Sequence, residues 1–111
     1  MDKRRVSKIQ REIRDERRRV STHESLKAIA TSLKRVKLKG AQTRGNEPMF
    51  VSTEFPDARP ISIPFHGRNA SIPPKTAKNI LNDLEADIFR FLQRLNEEEN
   101  DYVQEDSDEI H

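Results

Sequence analysis

A chain of 111 residues has room for one domain with appendages, and 32% hydrophobic against 36% charged content puts it on the polar side of globular usage. The lack of cysteine excludes a disulfide framework or thiolate metal site. No stretch approaches the roughly 18 apolar residues of a membrane span, and no apolar segment follows the opening Met-Asp-Lys-Arg-Arg, so a soluble cytoplasmic protein with no membrane partner is expected. The net charge of +2 hides three blocks, +9 over residues 1–40, +1 over 41–94 and −8 over 95–111, a pattern of a polyanion-binding arm and an acidic tail rather than a uniformly solvated surface.

Residues 1–20 read as a basic helical arm. Val6, Ile9, Ile13 and Val20 recur at spacings of three, four and seven, but Glu16 interrupts the stripe. Four small apolar residues do not hold an isolated helix in water, so this segment must pack on a partner, on the domain or along nucleic acid. Nine Lys/Arg against four acids fall within these twenty positions, and Arg17, Arg18 and Arg19 form an unbroken run. Cations in this density suit phosphate contacts, with affinity that falls as salt rises. A solvated helix with Lys8–Glu12 and Asp15–Arg19 pairs, or an acidic protein partner, would use the same charges.

Residues 21–96 read as the core domain. Ser21 with Glu24 three positions later matches a capping box and opens a helix over about 22–34, with Leu26, Ile29, Ala30 and Leu33 on one face. Val36 and Leu38 alternate with Arg35, Lys37 and Lys39 in a first strand over 35–39. A polar loop with Gly45-Asn46 leads to a second strand, in which Met49, Val51, Thr53 and Phe55 alternate with Phe50, Ser52 and Glu54. Pro56 to Pro60 is turn chemistry, and Ile61, Ile63 and Phe65 form a third strand, placed at an edge by Pro64. Pro73 and Pro74 then suit the start of a long helix carrying Ala77, Ile80, Leu81, Leu84, Ile88, Phe91, Leu92 and Leu95. Residues 97–111 are acid-rich and expected to be disordered, and their acids solvate the chain, screen the basic surface or dock a basic partner. The expected class is α+β: an αβββα domain whose three-stranded antiparallel sheet packs on two helices, preceded by a basic helix.

Lys75 and Lys78, three apart in the first turn of the last helix, share a face where the helix dipole also favours phosphate. Their place is similar to that of lysines in αβββα domains that bind double-stranded RNA. Ser25 to Ile29, Lys39-Gly40-Ala41-Gln42, the Phe50 strand, Ile63-Pro64-Phe65-His66 and Pro74 to Leu81 together resemble the HicA toxin family of small mRNA-cleaving proteins, over about 60 of the 111 residues. The resemblance implies the same α-β-β-β-α order and contact with RNA. It also implies a catalytic histidine in a Gly-Ser-His pattern after the first strand, where this chain has Gly40-Ala41-Gln42. A glutamine exchanges no proton near neutral pH, so general acid/base cleavage at that position has lost its agent. His66 is the weak remaining catalytic candidate, with Arg68 to stabilise phosphate charge. His23 reads as a surface residue at a helix start and His111 as a frayed terminus. The three histidines show no metal-ligand spacing, and no cofactor motif is present.

The first expectation is therefore a non-catalytic nucleic-acid-binding module, RNA preferred, using Arg17, Arg18, Arg19, Lys37, Lys39, Arg68, Lys75 and Lys78. An mRNA-cleaving toxin paired with an antitoxin, and a small viral or mobile-element adaptor that binds a nucleic-acid-handling protein, stay open beside it. The sequence leaves the oligomeric state open.

Overall fold

A computed structural model of the chain describes residues 1–39, 47–67 and 69–110, with side chains through Glu99. Gln42, Gly45, Asn46, Arg68 and His111 lie outside the described residues. Helix α1 (Lys3–Glu16) starts at Asp2, whose carboxylate accepts the Arg5 N–H at 2.9 Å. Val6, Ile9 and Ile13 are all within 2% of full burial and join the central apolar cluster. Residues 1–20, expected as an arm beside the core, thus supply three of its side chains. Of the destinations open to that stripe, the chain uses its own domain.

The interruption at Glu16 has a specific reason. Glu16 is buried at the end of the stripe, and its carboxylate accepts the Ser25 hydroxyl at 2.5 Å. Ser25 stands in the first turn of helix α2 (His23–Ser32), so Glu16 brings negative charge to the positive end of that helix. The capping box is shifted by one residue from the sequence expectation. Thr22 is the N-cap, its hydroxyl accepting the Ser25 N–H while the Ser25 hydroxyl accepts the Thr22 N–H. Ser21 and Glu24 therefore do not form the box. His23 is a further correction: it is buried, its Nδ1 3.2 Å from the Pro64 carbonyl and its ring edge-on to Phe65 at 5.1 Å.

Lys34, with φ of +67°, turns the chain out of α2 into the sheet. Strands β1 (Arg35–Lys37), β2 (Met49–Ser52) and β3 (Ile61–Ser62) are shorter than expected and pair antiparallel in the order β1-β2-β3. Their register sets Arg35 opposite Ser52, Val36 opposite Val51 and Phe50 opposite Ile61. Directly paired residues share a face, so Phe50, Ser52, Ile61 and Arg35 point to the helices. Val36 is 49% exposed on the other face. The first strand thus has the opposite phase from its apolar pattern: the arginine is inside and the valine outside.

Helix α3 (Pro74–Ile110) runs through the position where the core was expected to end, and its backbone stays helical across most of the acidic segment. At 1.5 Å per residue its 37 residues span about 55 Å. Ala77, Ile80, Leu81, Leu84, Ile88 and Phe91 form its buried stripe, and Asp87 sits among them, fully buried. Arg35 reaches it from β1, with Nε 2.6 Å from Oδ2 and Nη2 3.0 Å from Oδ1. The remaining Arg35 nitrogen donates to the carbonyls of Phe50 and Arg59, and Arg90 adds a second cation to Asp87 at 2.7 Å. Lys3 pairs with Glu99, and Arg17 donates to Asn82 at 3.0 Å, so α1 lies antiparallel along α3. From α2 onward the order is the expected α, β, β, β, α, and the class is α+β with a three-stranded antiparallel sheet.

Candidate nucleic-acid interface

Burial of Val6, Ile9, Ile13 and Glu16 fixes the rotation of α1 and decides where its arginines go. Arg4, Arg11 and Arg14 follow at steps of seven and three on the outward side and line a shallow groove of about 780 Å³ along the helix. Arg17 closes its far end, held by Asn82 and by Glu85 at 3.5 Å. A cation tethered between two partners on α3 keeps its position at smaller entropic cost than a free side chain.

A second groove, of about 840 Å³, opens where α1 ends and α3 begins. One backbone contact builds it. Thr22 forms an isolated antiparallel bridge with Ser71, in which the Ile72 N–H donates to the Ser21 carbonyl at 2.8 Å. It ties the α1–α2 connection to the segment before α3, and so brings Arg17, Arg18 and Arg19 to the same groove as Lys78, about sixty positions away. Arginines beyond a helix C-terminus are favoured by its dipole; a lysine from another helix has no such reason to be there. The floor is apolar, formed by Val20, Ile72, Ala77 and Leu81, with Pro73 and Pro74 as one wall. Arg17 lines both grooves and joins them, and cations outnumber the two carboxylates of the linings, Glu16 in one groove and Glu85 in the other.

Of the residues expected from sequence, Arg17, Arg18, Arg19 and Lys78 are brought together. Lys75 is exposed one turn earlier on the same helix but does not line the groove. Lys37 and Lys39 are exposed in and just past β1, in the sheet layer, and line neither groove. His66 is exposed and also lines neither. The contribution of Arg4, Arg11 and Arg14 was legible in principle, since their spacing places them opposite the Val6–Ile13 stripe. Among the described residues, no group of three or more His, Cys, Asp or Glu side chains could hold a metal ion, and no helix is long and apolar enough to cross a membrane.

Comparison of the chain with protein-family models, with curated proteins and with solved structures found no match.

Proposed function

We propose that this protein is a nucleic-acid-binding module, RNA preferred, that holds the phosphate backbone along α1 and performs no cleavage itself. The observation that supports it is the run of seven cations, Arg4, Arg11, Arg14, Arg17, Arg18, Arg19 and Lys78, that α1, the segment after it and α3 bring to two grooves joined at Arg17. Guanidinium groups present several N–H donors in a plane and match phosphate oxygens in pairs. Spacing along a helix suits a track of diesters, because side chains seven apart are about 10 Å apart along the axis. The preference for RNA and a cytoplasmic setting rest on the resemblance in the α-β-β-β-α segment and on the cysteine-free composition. The non-catalytic reading rests on Gln42, which stands where that family has its histidine.

Filter binding of the full chain to RNA and DNA of equal length, over a salt series, tests this reading. The expected result is tighter binding to RNA and a log–log slope that becomes shallower by about two to three in an Arg4→Gln/Arg11→Gln/Arg14→Gln variant. Binding to neither polymer, or capture of a single acidic protein with no polyanion affinity, overturns it. RNA recovered intact is expected; cleaved RNA would restore the toxin reading, and His66→Ala would then show whether that histidine is the agent.

A further inference from the structure

The groove at the junction of α1 and α3 differs in character from the track that leads to it. A surface that only follows phosphodiesters needs cations, and the outward side of α1 supplies them. Beyond Arg17 the lining becomes mainly apolar, with the cations set at the rim. Val20, 71% exposed, contributes its side chain to that lining. At about 840 Å³ this open groove has room for one small ligand group.

Three further features concern the anion such a group would carry. The groove ends at the first turn of α3, where the Ala77 N–H bonds to the Pro73 carbonyl. Lys75 and Thr76, whose N–H groups precede that first helical bond, do not line the groove, so what this turn brings to an anion held there is the positive end of the helix dipole. Ser21 lines the same groove, is 2% exposed, and its hydroxyl has no hydrogen-bond partner among the described residues. A buried hydroxyl without a partner is costly, and a ligand oxygen would satisfy it. Arg18, Arg19 and Lys78 bring positive charge to this groove, Arg19 lying 3.5 Å from the buried carboxylate of Glu16, which lines it too.

We infer that this groove takes the terminal nucleotide of a single-stranded nucleic acid that ends in a phosphomonoester. The nucleoside lies on the floor of Val20, Ile72 and Leu81 between the prolines, and the terminal phosphate meets Lys78, the arginines and the first turn of α3. A phosphomonoester carries about −1.5 to −2 charges at neutral pH, against −1 for a diester, and three terminal oxygens in place of two. Only a strand end can present that group together with an uncovered base face. The inference rests on the nucleic-acid reading above: the α1 track holds the following diesters while the groove holds the end.

Fluorescence anisotropy of the full chain with short single-stranded RNAs tests it, using one sequence with a 5′-phosphate, with a 3′-phosphate, and with hydroxyls at both ends. One phosphorylated form is expected to bind about tenfold more tightly than the hydroxyl form, from added charge-assisted hydrogen bonds. Lys78→Gln and Arg18→Gln, both at surface positions, are expected to abolish that difference with an unchanged melting temperature. The Arg4→Gln/Arg11→Gln/Arg14→Gln variant is expected to weaken every RNA and keep the ratio. Equal affinity for phosphorylated and hydroxyl ends overturns the inference and leaves the general binding function standing, whereas binding to none of the RNAs overturns both. A nucleoside monophosphate is expected to compete better than inorganic phosphate; equal competition would remove the role of the apolar floor and overturn the nucleotide assignment.

Discussion

Arg35 and Asp87, fifty-two positions apart in the chain, meet in a two-pronged ion pair with both side chains almost wholly excluded from solvent. The pair joins the first strand to the middle of the last helix, and every guanidinium nitrogen has a partner. Breaking such a pair leaves a charge buried alone. Asp87→Ala is expected to cost about 3–5 kcal/mol, and a joint Arg35→Met/Asp87→Leu replacement much less, since a packed apolar pair also removes the desolvation cost. Urea denaturation of the two variants checks this. Equal losses would show that the charges themselves, rather than their mutual satisfaction, hold the strand to the helix.

Because α1 completes the core, it is not a detachable tail. Ile13→Ala is expected to destabilise by about 2–5 kcal/mol through the cavity it leaves. A chain that starts at residue 17 is expected to lose its cooperative thermal transition by circular dichroism. A truncation with wild-type melting would mean that α1 adds nothing to the core.

The shifted capping box separates two neighbouring residues. Thr22→Ala is expected to cost about 1 kcal/mol, as loss of an N-cap hydroxyl does. Ser21→Ala removes a hydroxyl that bonds to nothing and is expected to be neutral or slightly stabilising. Thermal melts of both reverse in order if Ser21 is the true cap.

Lys34 adopts a left-handed backbone that costs a residue with a Cβ roughly 1–2 kcal/mol. Lys34→Gly relieves this but gives back part of the gain in unfolded-chain entropy. A rise of a few degrees in Tm is expected, about 1 kcal/mol corresponding to some 4–8 °C for a domain of this size. An unchanged or lower Tm would show that the lysine pays no conformational cost there.

Much of the fold was legible, because local rules governed it. The stripe from Ala77 to Leu95 is long enough for its period to be unambiguous, and the prolines before it mark a start that the structure keeps. The phase of β1 was not legible. Val36 and Leu38 fit an inward apolar pattern, and only a carboxylate fifty-two residues later gives Arg35 a reason to be inside. In β2 both alternations carry apolar residues, and pairing across to Ile61 decides for Phe50. The same limit applies to the candidate site. The arginine run and Lys78 each stand out in the sequence, but their shared groove depends on the Thr22–Ser71 bridge, made by the Ile72 N–H to Ser21 carbonyl bond, which joins segments with no pattern to announce it. His23 was missed because its burial is set by Phe50 and Phe65, both distant in the chain.

The antiparallel seating of α1 on α3 has one more consequence, for kinetics. It puts the arginine-rich turn beside the start of α3 and the carboxylates of Glu97, Glu98 and Glu99 some twenty residues, or about 30 Å, farther along that helix, on a particle 61 Å in its longest dimension. A body charged this way experiences a torque near a polyanion, which turns inward the α1 face that runs from Arg4, beside the Lys3–Glu99 pair, to Arg17, and turns away the α3 carboxylates that have no ion pair among the described residues. With a Debye length of about 8 Å in physiological salt, that turning force acts only over the last nanometre of approach. Added salt should therefore cut the rate of arrival through lost orientation as well as lost attraction, making capture more sensitive to ionic strength than that of a sphere with the same net charge.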